Sequence, residues 1–364
     1  MQSVDLSKYA PEFKLYINNN EELGNILTKS TISVSVKEEV NQVATFTIVV
    51  ADHFDVIKQE FTWLDSDVLK PGNIIRIEFG YNKNKLTEII EGQIATISTS
   101  GFSGDIPKLT MNGFQKGHKE LTEESSRDTP IKIEKDDTYS RIAEKLADSI
   151  GLKQEIDDTT LYSPISMKKP TVYNQFLKDK AKRVGYEFFV TRNTLYFINP
   201  RNLKRIVKNM VFEWGTNIIR FVPSINTSEL VTQIQVRGHT SDSKRHIVVD
   251  IEDGREDVVE TGKRTASQIA KEIHKEKKKD IKDQILNSEQ EGRDMGLAEL
   301  NSIGDRLITG EISIVGNPNL MPGQIIEIKR VGRTFSGKYF VTQATHTIDG
   351  NGYTTTFNVR RNVM

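Results

Sequence analysis

The run Gly332-Arg333-Thr334-Phe335-Ser336-Gly337-Lys338 has the glycine and lysine spacing of a phosphate-binding loop. In such loops backbone N–H groups and the lysine cradle phosphate, and a following Ser or Thr holds magnesium. Tyr339 stands in that last position, and the run lies between strand-like segments rather than opening a helix, so a turn between strands is the preferred reading. His239 and His246, with Asp250, Glu252 and Asp253, bring together donors suited to a divalent cation. Their spacing matches neither a calcium loop nor a His-Glu-x-x-His zinc helix, which favours hydrogen-bonded or surface histidines. Cys is absent, which removes thiol nucleophiles, thiolate metal sites and disulfides. There is no Gly-x-Ser-x-Gly elbow. Carboxylates are plentiful enough for an acid/base pair of the kind that hydrolyses glycosides, but nothing singles out a pair. Lys275–Lys282 is the one basic knot, diluted by Glu276 and Asp280, and reads as a solvated face. The expectation is therefore no catalytic, cofactor-binding or metal-ligating residue.

The bulk numbers point the same way. The chain has 364 residues, enough for two or three domains, with 50 basic and 50 acidic side chains. A formal net charge of zero argues against specific nucleic-acid binding. Met1–Leu15 carries Asp5, Lys8 and Glu12 and lacks the apolar core of a secretory signal. No apolar run approaches a membrane span, Phe46–Ala51 being about the longest. A soluble globular protein without membrane anchor, made in a cytoplasm, is expected.

The organising feature is a repeat. Leu69-Lys70-Pro71-Gly72-Asn73-Ile74-Ile75-Arg76-Ile77 and Leu320-Met321-Pro322-Gly323-Gln324-Ile325-Ile326-Glu327-Ile328 share one frame. Pro71 and Pro322 fix φ at the first corner of a turn, and Gly72 and Gly323 accept the positive φ that a type II turn needs next. Each turn opens an alternating strand, with Ile75, Ile77, Phe79 and Tyr81 on one face in the first and Ile326 and Ile328 in the second. A second strand (Glu91–Ser98; 337–347), a Gly-rich turn (Gly101 and Gly104; Asp349–Gly352) and a third strand (Lys108–Phe114; Tyr353–Arg360) follow each copy. This order predicts an internal duplication of a small β-domain.

The elements divide the chain into three. Residues 1–118 form the first β-domain, with Ile32, Val34 and Val36 on one strand face, a polar hairpin Lys37–Val43, and Thr45–Val50 as the answering strand. Its long loop Asp52–Asp67 carries Phe54, Phe61 and Trp63, expected to fold back onto the core. Residues 119–212 form an α/β insert. A polar linker Glu120–Asp128 leads to a helix started at Asp136–Thr138, with Ile142, Ala143, Leu146, Ala147 and Ile150 inward and Gly151 as its stop. A second helix, Asn174–Val184, and a hairpin of Tyr186–Val190 with Leu195–Ile198 follow. Residues 213–364 form the second β-domain, with Leu230–Gly238 and His246–Ile251 as strand partners. Within it a charged helical excursion spans about 253–300: Thr265–Gln290 has only a thin stripe of Ile269, Ile273, Ile281 and Ile285, while Glu289–Leu307 packs better. The fold class is mainly β with an α/β insert.

Duplication alone suggests an assembly. Two similar domains per chain would let a closed trimer present six similar units in a ring, matching a six-fold partner on one face and a three-fold partner on the other. Several runs resemble the baseplate hub proteins of contractile phage tails and related injection systems, the late-control protein D-like family. They are Gly316–Gly323, Phe335–Val341, His346 and Gly352–Phe357; Thr138–Ala143, Phe176-Leu177 through Gly185-Tyr186, and Leu195–Phe197; and Leu230–Gly238. The resemblance covers most of the chain beyond residue 130, and the first domain fits by repeat.

It implies two tail-tube-like β-barrels per chain and a homotrimer that is a pseudo-six-fold structural adaptor between the hexameric tail tube and the trimeric spike. Partners would be the chain itself, a separate spike protein, tube or tube-initiator, tape-measure and baseplate wedge proteins. The place would be the virion tail or an extracellular contractile particle, assembled in the bacterial cytoplasm. No catalytic residue carries over. Two alternatives stay open: Thr138–Leu152 is similar to the helical half of a glycan-binding LysM domain, and a tail-associated muramidase would need one essential carboxylate.

Overall fold

The computed structural model describes residues 10–82, 85–101, 106–122, 131–134, 136–162, 172–240 and 244–364. Gly104 and residues 123–128 of the expected linker lie outside these, as do residues 1–9.

The first 122 residues run β1 (Glu12–Ile17), α1 (Glu21–Ser30), β2 (Thr31–Glu39), β3 (Thr45–Ala51), the short hairpin β4 (Phe54–Asp55) and β5 (Glu60–Phe61), β6 (Ile74–Gly80), β7 (Thr87–Thr99), β8 (Lys108–Gln115) and α2 (His118–Thr122). The insert holds α3 (Tyr139–Ile150), β9 (Lys153–Ile156), α4 (Tyr173–Val184), β10 (Glu187–Thr191) and β11 (Thr194–Ile198). The rest runs β12 (Ile206–Glu213), β13 (Ile218–Ile225), β14 (Gln233–His239), β15 (His246–Ile251), α5 (Ala266–His274), β16 (Lys278–Ile285), α6 (Glu289–Gly304), β17 (Ile308–Val315), β18 (Ile325–Lys329), α7 (Gly332–Phe335), β19 (Gly337–Asp349) and β20 (Gly352–Arg361).

Twelve strands join in one sheet. The first six run in the order β1-β6-β7-β8-β3-β2 and the last six in the order β12-β18-β19-β20-β17-β13, with β2 paired to β19 as the seam. Counted along the chain within each half, both read first-fourth-fifth-sixth-third-second. The irregularities also recur. Ile32 in β2 and Ile219 in β13 each fall at a register shift against the next strand, as do Ala95 in β7 and Thr342 in β19. Such bulges are built features that bend a strand and fix its register. One pairing differs: β1 lies antiparallel to β6 and β12 parallel to β18.

Each half has its own apolar core. Leu15, Val34, Phe46, Ile48, Ile75, Ile77, Phe79 and Met111 are buried in the first, and Ile312, Ile326, Ile328, Val341, Phe357 and Val359 in the second. The insert packs α3 and α4 on its sheet through Ala143, Leu146, Leu177, Ala181, Phe188 and Phe197. Thr138 caps α3 by accepting from the Arg141 N–H, and Gly151 ends it in the left-handed conformation.

Several expectations change. Residues 206–212, placed in the insert, belong to β12, which pairs with β18 in the large sheet. Glu120–Thr122, read as linker, belongs to α2. The expected helical excursion 253–300 is interrupted by a strand, β16, which lies parallel to β14 in a separate sheet β15-β14-β16. Helical spacing misleads there because Ile281 and Ile285 are strand residues, half-buried and exposed, and α5 is sealed by Ile269 and Ala270. The run Gly332–Lys338 forms a single helical turn, α7, and then the start of β19. The loop 52–67 is divided: Trp63 is buried, Phe54 packs against Phe61 with ring centroids 4.8 Å apart and the rings tilted by 49°, and Val56 and Ile57 stand 79% and 94% exposed.

Helix α1 seats directly on β1, where a Cβ at Gly24 would meet the Leu15 carbonyl oxygen at 1.7 Å. Gly24→Ala should therefore lower unfolding free energy by roughly 3 kcal/mol in urea titration, since backbone cannot yield as a side chain does. A loss below about 1 kcal/mol would mean that α1 is not seated there.

Candidate functional site

The two Pro-Gly turns are placed alike. Gly72 and Gly323 take φ of 98° and 86°. The Gly72 N–H donates to Ile94 O at 2.8 Å and the Ile94 N–H returns a bond to Asn73 O at 2.9 Å; Gly323 and Val341 repeat this at 3.0 Å, with Val341 to Gln324 O at 2.9 Å. The side-chain amides match too, Asn73 donating to Val68 O and Gln324 to Asn319 O. The turns are not brought together, and their surroundings differ. A Cβ at Gly72 would touch little, whereas one at Gly323 would meet Phe189 and Ile198 of the insert at 2.9 and 3.0 Å.

That second turn sits in a junction of all three units, built around Glu38. Strand β2 alternates, and Glu38 occupies the inward phase of Val34 and Val36, fully buried. Arg192 lies in the two-residue turn between β10 and β11, where it and Asn193 take φ of 48° and 55°, as a type I′ hairpin requires. Its guanidinium donates to both Glu38 oxygens, Nε to Oε1 at 2.9 Å and Nη2 to Oε2 at 3.1 Å. Thr191 donates its hydroxyl to Oε1 at 2.5 Å. His346 of β19, also fully buried, has Nε2 at 3.3 Å from Glu38 Oε2 and 3.0 Å from Leu320 O. Both neighbours are acceptors, so Nε2 carries a proton, and Nδ1 lies within hydrogen-bond distance of the hydroxyls of Tyr353 at 2.9 Å and Thr355 at 3.1 Å. Arg192 also donates to Leu320 O at 3.2 Å, which ties the second Pro-Gly loop to the insert.

Val40, Phe189, Ile198, Ile325 and Phe340 form an apolar cluster joining the same three units. Beyond it, Glu187 accepts from Arg360 and from Asn41 Nδ2 at 2.7 Å. Asp305 pairs with Arg201 at 2.8 Å and with Arg360 Nε at 3.2 Å.

Burial alone would raise the Glu38 carboxyl, but Arg192 and the His346 hydrogen bond bring it down to about 2. It stays ionised with both oxygens engaged, so it serves as a tie, not as a proton acceptor for chemistry. Sequence reasoning treated Lys37–Val43 as a polar hairpin and missed Glu38. The readable signal was a carboxylate in the apolar phase of a strand.

The metal candidates are dispersed into other roles. His239 and His246 lie opposite each other at the rim of β14 and β15. Asp250 accepts from Gln233 and Gln235 and pairs with Lys278, and Asp253 pairs with Lys271. In the basic knot Lys279 pairs with Glu299. Among the described residues, no group of three His, Asp or Glu could hold a metal ion, and no helix is long and apolar enough to cross a membrane.

The fold is similar to that of solved phage tail proteins. It is similar to the 43 kDa tail protein of prophage MuSo2 from Shewanella oneidensis, with a TM-score of 0.71 and 12% identity over 97% of this chain and 98% of that one. A tail protein from Neisseria meningitidis matches with a TM-score of 0.66 and 11% identity over 97% of both chains. A component of the Escherichia coli type VI secretion system matches with a TM-score of 0.56 and 10% identity over 91% of this chain and 73% of that one. At these identities the likeness is one of fold. Residues 13–350 match the family described as the Alg8 N-terminal domain, and the chain belongs to that family. No curated protein sequence matches it.

The folded pKa of Glu38 lies below its ordinary 4.5, so its stabilising effect is full above about pH 4.5 and is lost as pH falls toward 2. Acid unfolding followed by circular dichroism should show this loss in the wild type and lack it in Glu38→Ala. At neutral pH Glu38→Ala, which leaves Arg192 unpaired, should cost roughly 3–5 kcal/mol. A neutral-pH cost under about 1 kcal/mol would remove Glu38 as the tie.

Proposed function

We propose that the chain is a structural baseplate hub of a contractile tail or injection system. Three copies close into a pseudo-six-fold ring that joins a hexameric tail tube to a trimeric spike. The observation that carries this reading is the repeat of one six-strand order, with the same two bulges and the same turn bonds, in both halves of the chain. Each half is read as one tube-like barrel, descended from a single ancestor by duplication. A ring of three such chains offers a hexameric tube six near-equal platforms.

What differs between the halves supports a three-fold second face. The connection from β3 to β6 spans 52–73 and carries the exposed Val56 and Ile57; its counterpart from β17 to β18 spans only 316–324. The insert between β8 and β12 and the sheet of β14, β15 and β16 also occur once per chain, hence three times per ring. A spike with three-fold symmetry finds three equal contacts there, and the tape-measure protein would occupy the channel. The role is structural and needs no catalytic group. The names of the similar structures, two tail proteins and one type VI secretion component, agree with such a role.

Light scattering on the purified chain, alone and with its spike protein, should show three copies of the chain per particle. Monomer under both conditions would defeat the hub reading. Peptidoglycan retention or wall lysis by the trimer would instead favour a glycan-directed role.

A further inference from the structure

We propose that two open strand edges of one chain, the C-terminal half of β7 and the outer edge of β13, are the two sides of a joint between copies of this chain. The seam closed inside the chain sets its register. This rests on the hub reading above and adds the residues that meet.

Inside the chain β2 pairs with the C-terminal half of β19: Glu39 lies opposite Gln343, Glu38 opposite Ala344, Lys37 opposite Thr345, Val36 opposite His346 and Ser35 opposite Thr347. The bulges identify the counterparts. Aligning Ile219 with Ile32 puts Phe221–Asn226 of the β13 edge on Val34–Glu39, and aligning Ala95 with Thr342 puts Thr96–Gly101 on Gln343–Ile348. Carrying the seam across places Thr96 opposite Asn226, Ile97 opposite Ile225, Ser98 opposite Ser224, Thr99 opposite Pro223 and Ser100 opposite Val222.

Both edges are in a state to pair. Among the described strands, β13 is bonded only to β17, and β7 beyond Ile94 only to β8. The Asn226 N–H is spent on Leu307 O and the Ser100 N–H on Lys108 O. Strand residues alternate, so Ile225 on one edge and Ile97 and Thr99 on the other turn their N–H and C=O groups outward, as the internal seam requires. Pro223 brings no N–H, so the rung opposite Thr99 has one bond instead of two. Neither Thr96–Gly101 nor Phe221–Asn226 contains a charge, the common guard of an open edge. Ile219, Val222 and Ile225 stand 58%, 46% and 41% exposed along β13, apolar surface that a second copy would cover. The two edges differ from each other, so the contact is head-to-tail and must close into a ring or run on as a fibre.

The absence of Cys makes the test clean. Ser98 and Ser224 form a narrow, non-hydrogen-bonded pair in this register, with Cα atoms roughly 4.5 Å apart, within disulfide reach. The full-length chain carrying Ser98→Cys and Ser224→Cys should give, on mild oxidation, a covalent trimer that thiol returns to single chains. Ser98→Cys with Val222→Cys, two residues out of register, should give at least tenfold less. If light scattering finds trimers but Ser98→Cys/Ser224→Cys fails to link, or links no better than the shifted pair, the joint is wrong while the ring stands. If only monomers are found, the joint and the hub reading fall together.

Discussion

A single buried carboxylate holds the architecture in one shape. Glu38 comes from the first β-unit, Arg192 from the insert and His346 from the second, and none lies within 150 residues of another in sequence. Taking such charges out of water costs several kcal/mol each, which their attraction recovers only when every lone pair is met. Here both carboxylate oxygens are met, and the Leu320 carbonyl closes the set. An oily patch could supply equal burial and would tolerate sliding. A bidentate guanidinium fork does not tolerate it, because a small displacement leaves a charge unpaired in an apolar surround. The junction therefore specifies the angle between the two β-units more than it adds stability.

That angle matters because the β2–β19 seam is continuous backbone pairing. Strand pairing fixes register in steps of two residues, since a one-residue slip turns every side chain to the wrong face. Glu38 itself sits on the seam, opposite Ala344. The interaction that joins the insert thus also pins the rung at which the two halves meet. The apolar cluster of Val40, Phe189, Ile325 and Phe340 excludes water beside it, which strengthens the ion pairs in turn.

The halves diverge where they are free to. Core strands keep order, bulges and turn bonds, because each change there would break a ladder. Connections on the surface bear insertions at small entropic cost. The first half therefore carries α1 and a long apolar-tipped loop, and the second a separate small sheet with α6. Gly72 and Gly323 illustrate the drift: the backbone is conserved between them, yet only Gly323 is pressed against another unit.

Much of this was legible in residue order. The Pro-Gly frame announced the strand that follows each of the two turns, because a fixed φ followed by a positive φ is a local requirement that few residues meet. Thr138 and Gly151 marked the ends of α3 for the same reason, and Val34 and Val36 marked an inward face by period alone. The chain by itself thus determined several strands and their turns, which depend on neighbours a few positions away. Tertiary structure decided that Lys278–Ile285 is a strand, since its thin isoleucine stripe suits either period and only pairing with β14 chooses between them. It also decided that Glu38, Arg192 and His346 meet. Their meeting depends on how segments more than 150 residues apart are set against one another, and a carboxylate's partner across such distances leaves no mark in local spacing.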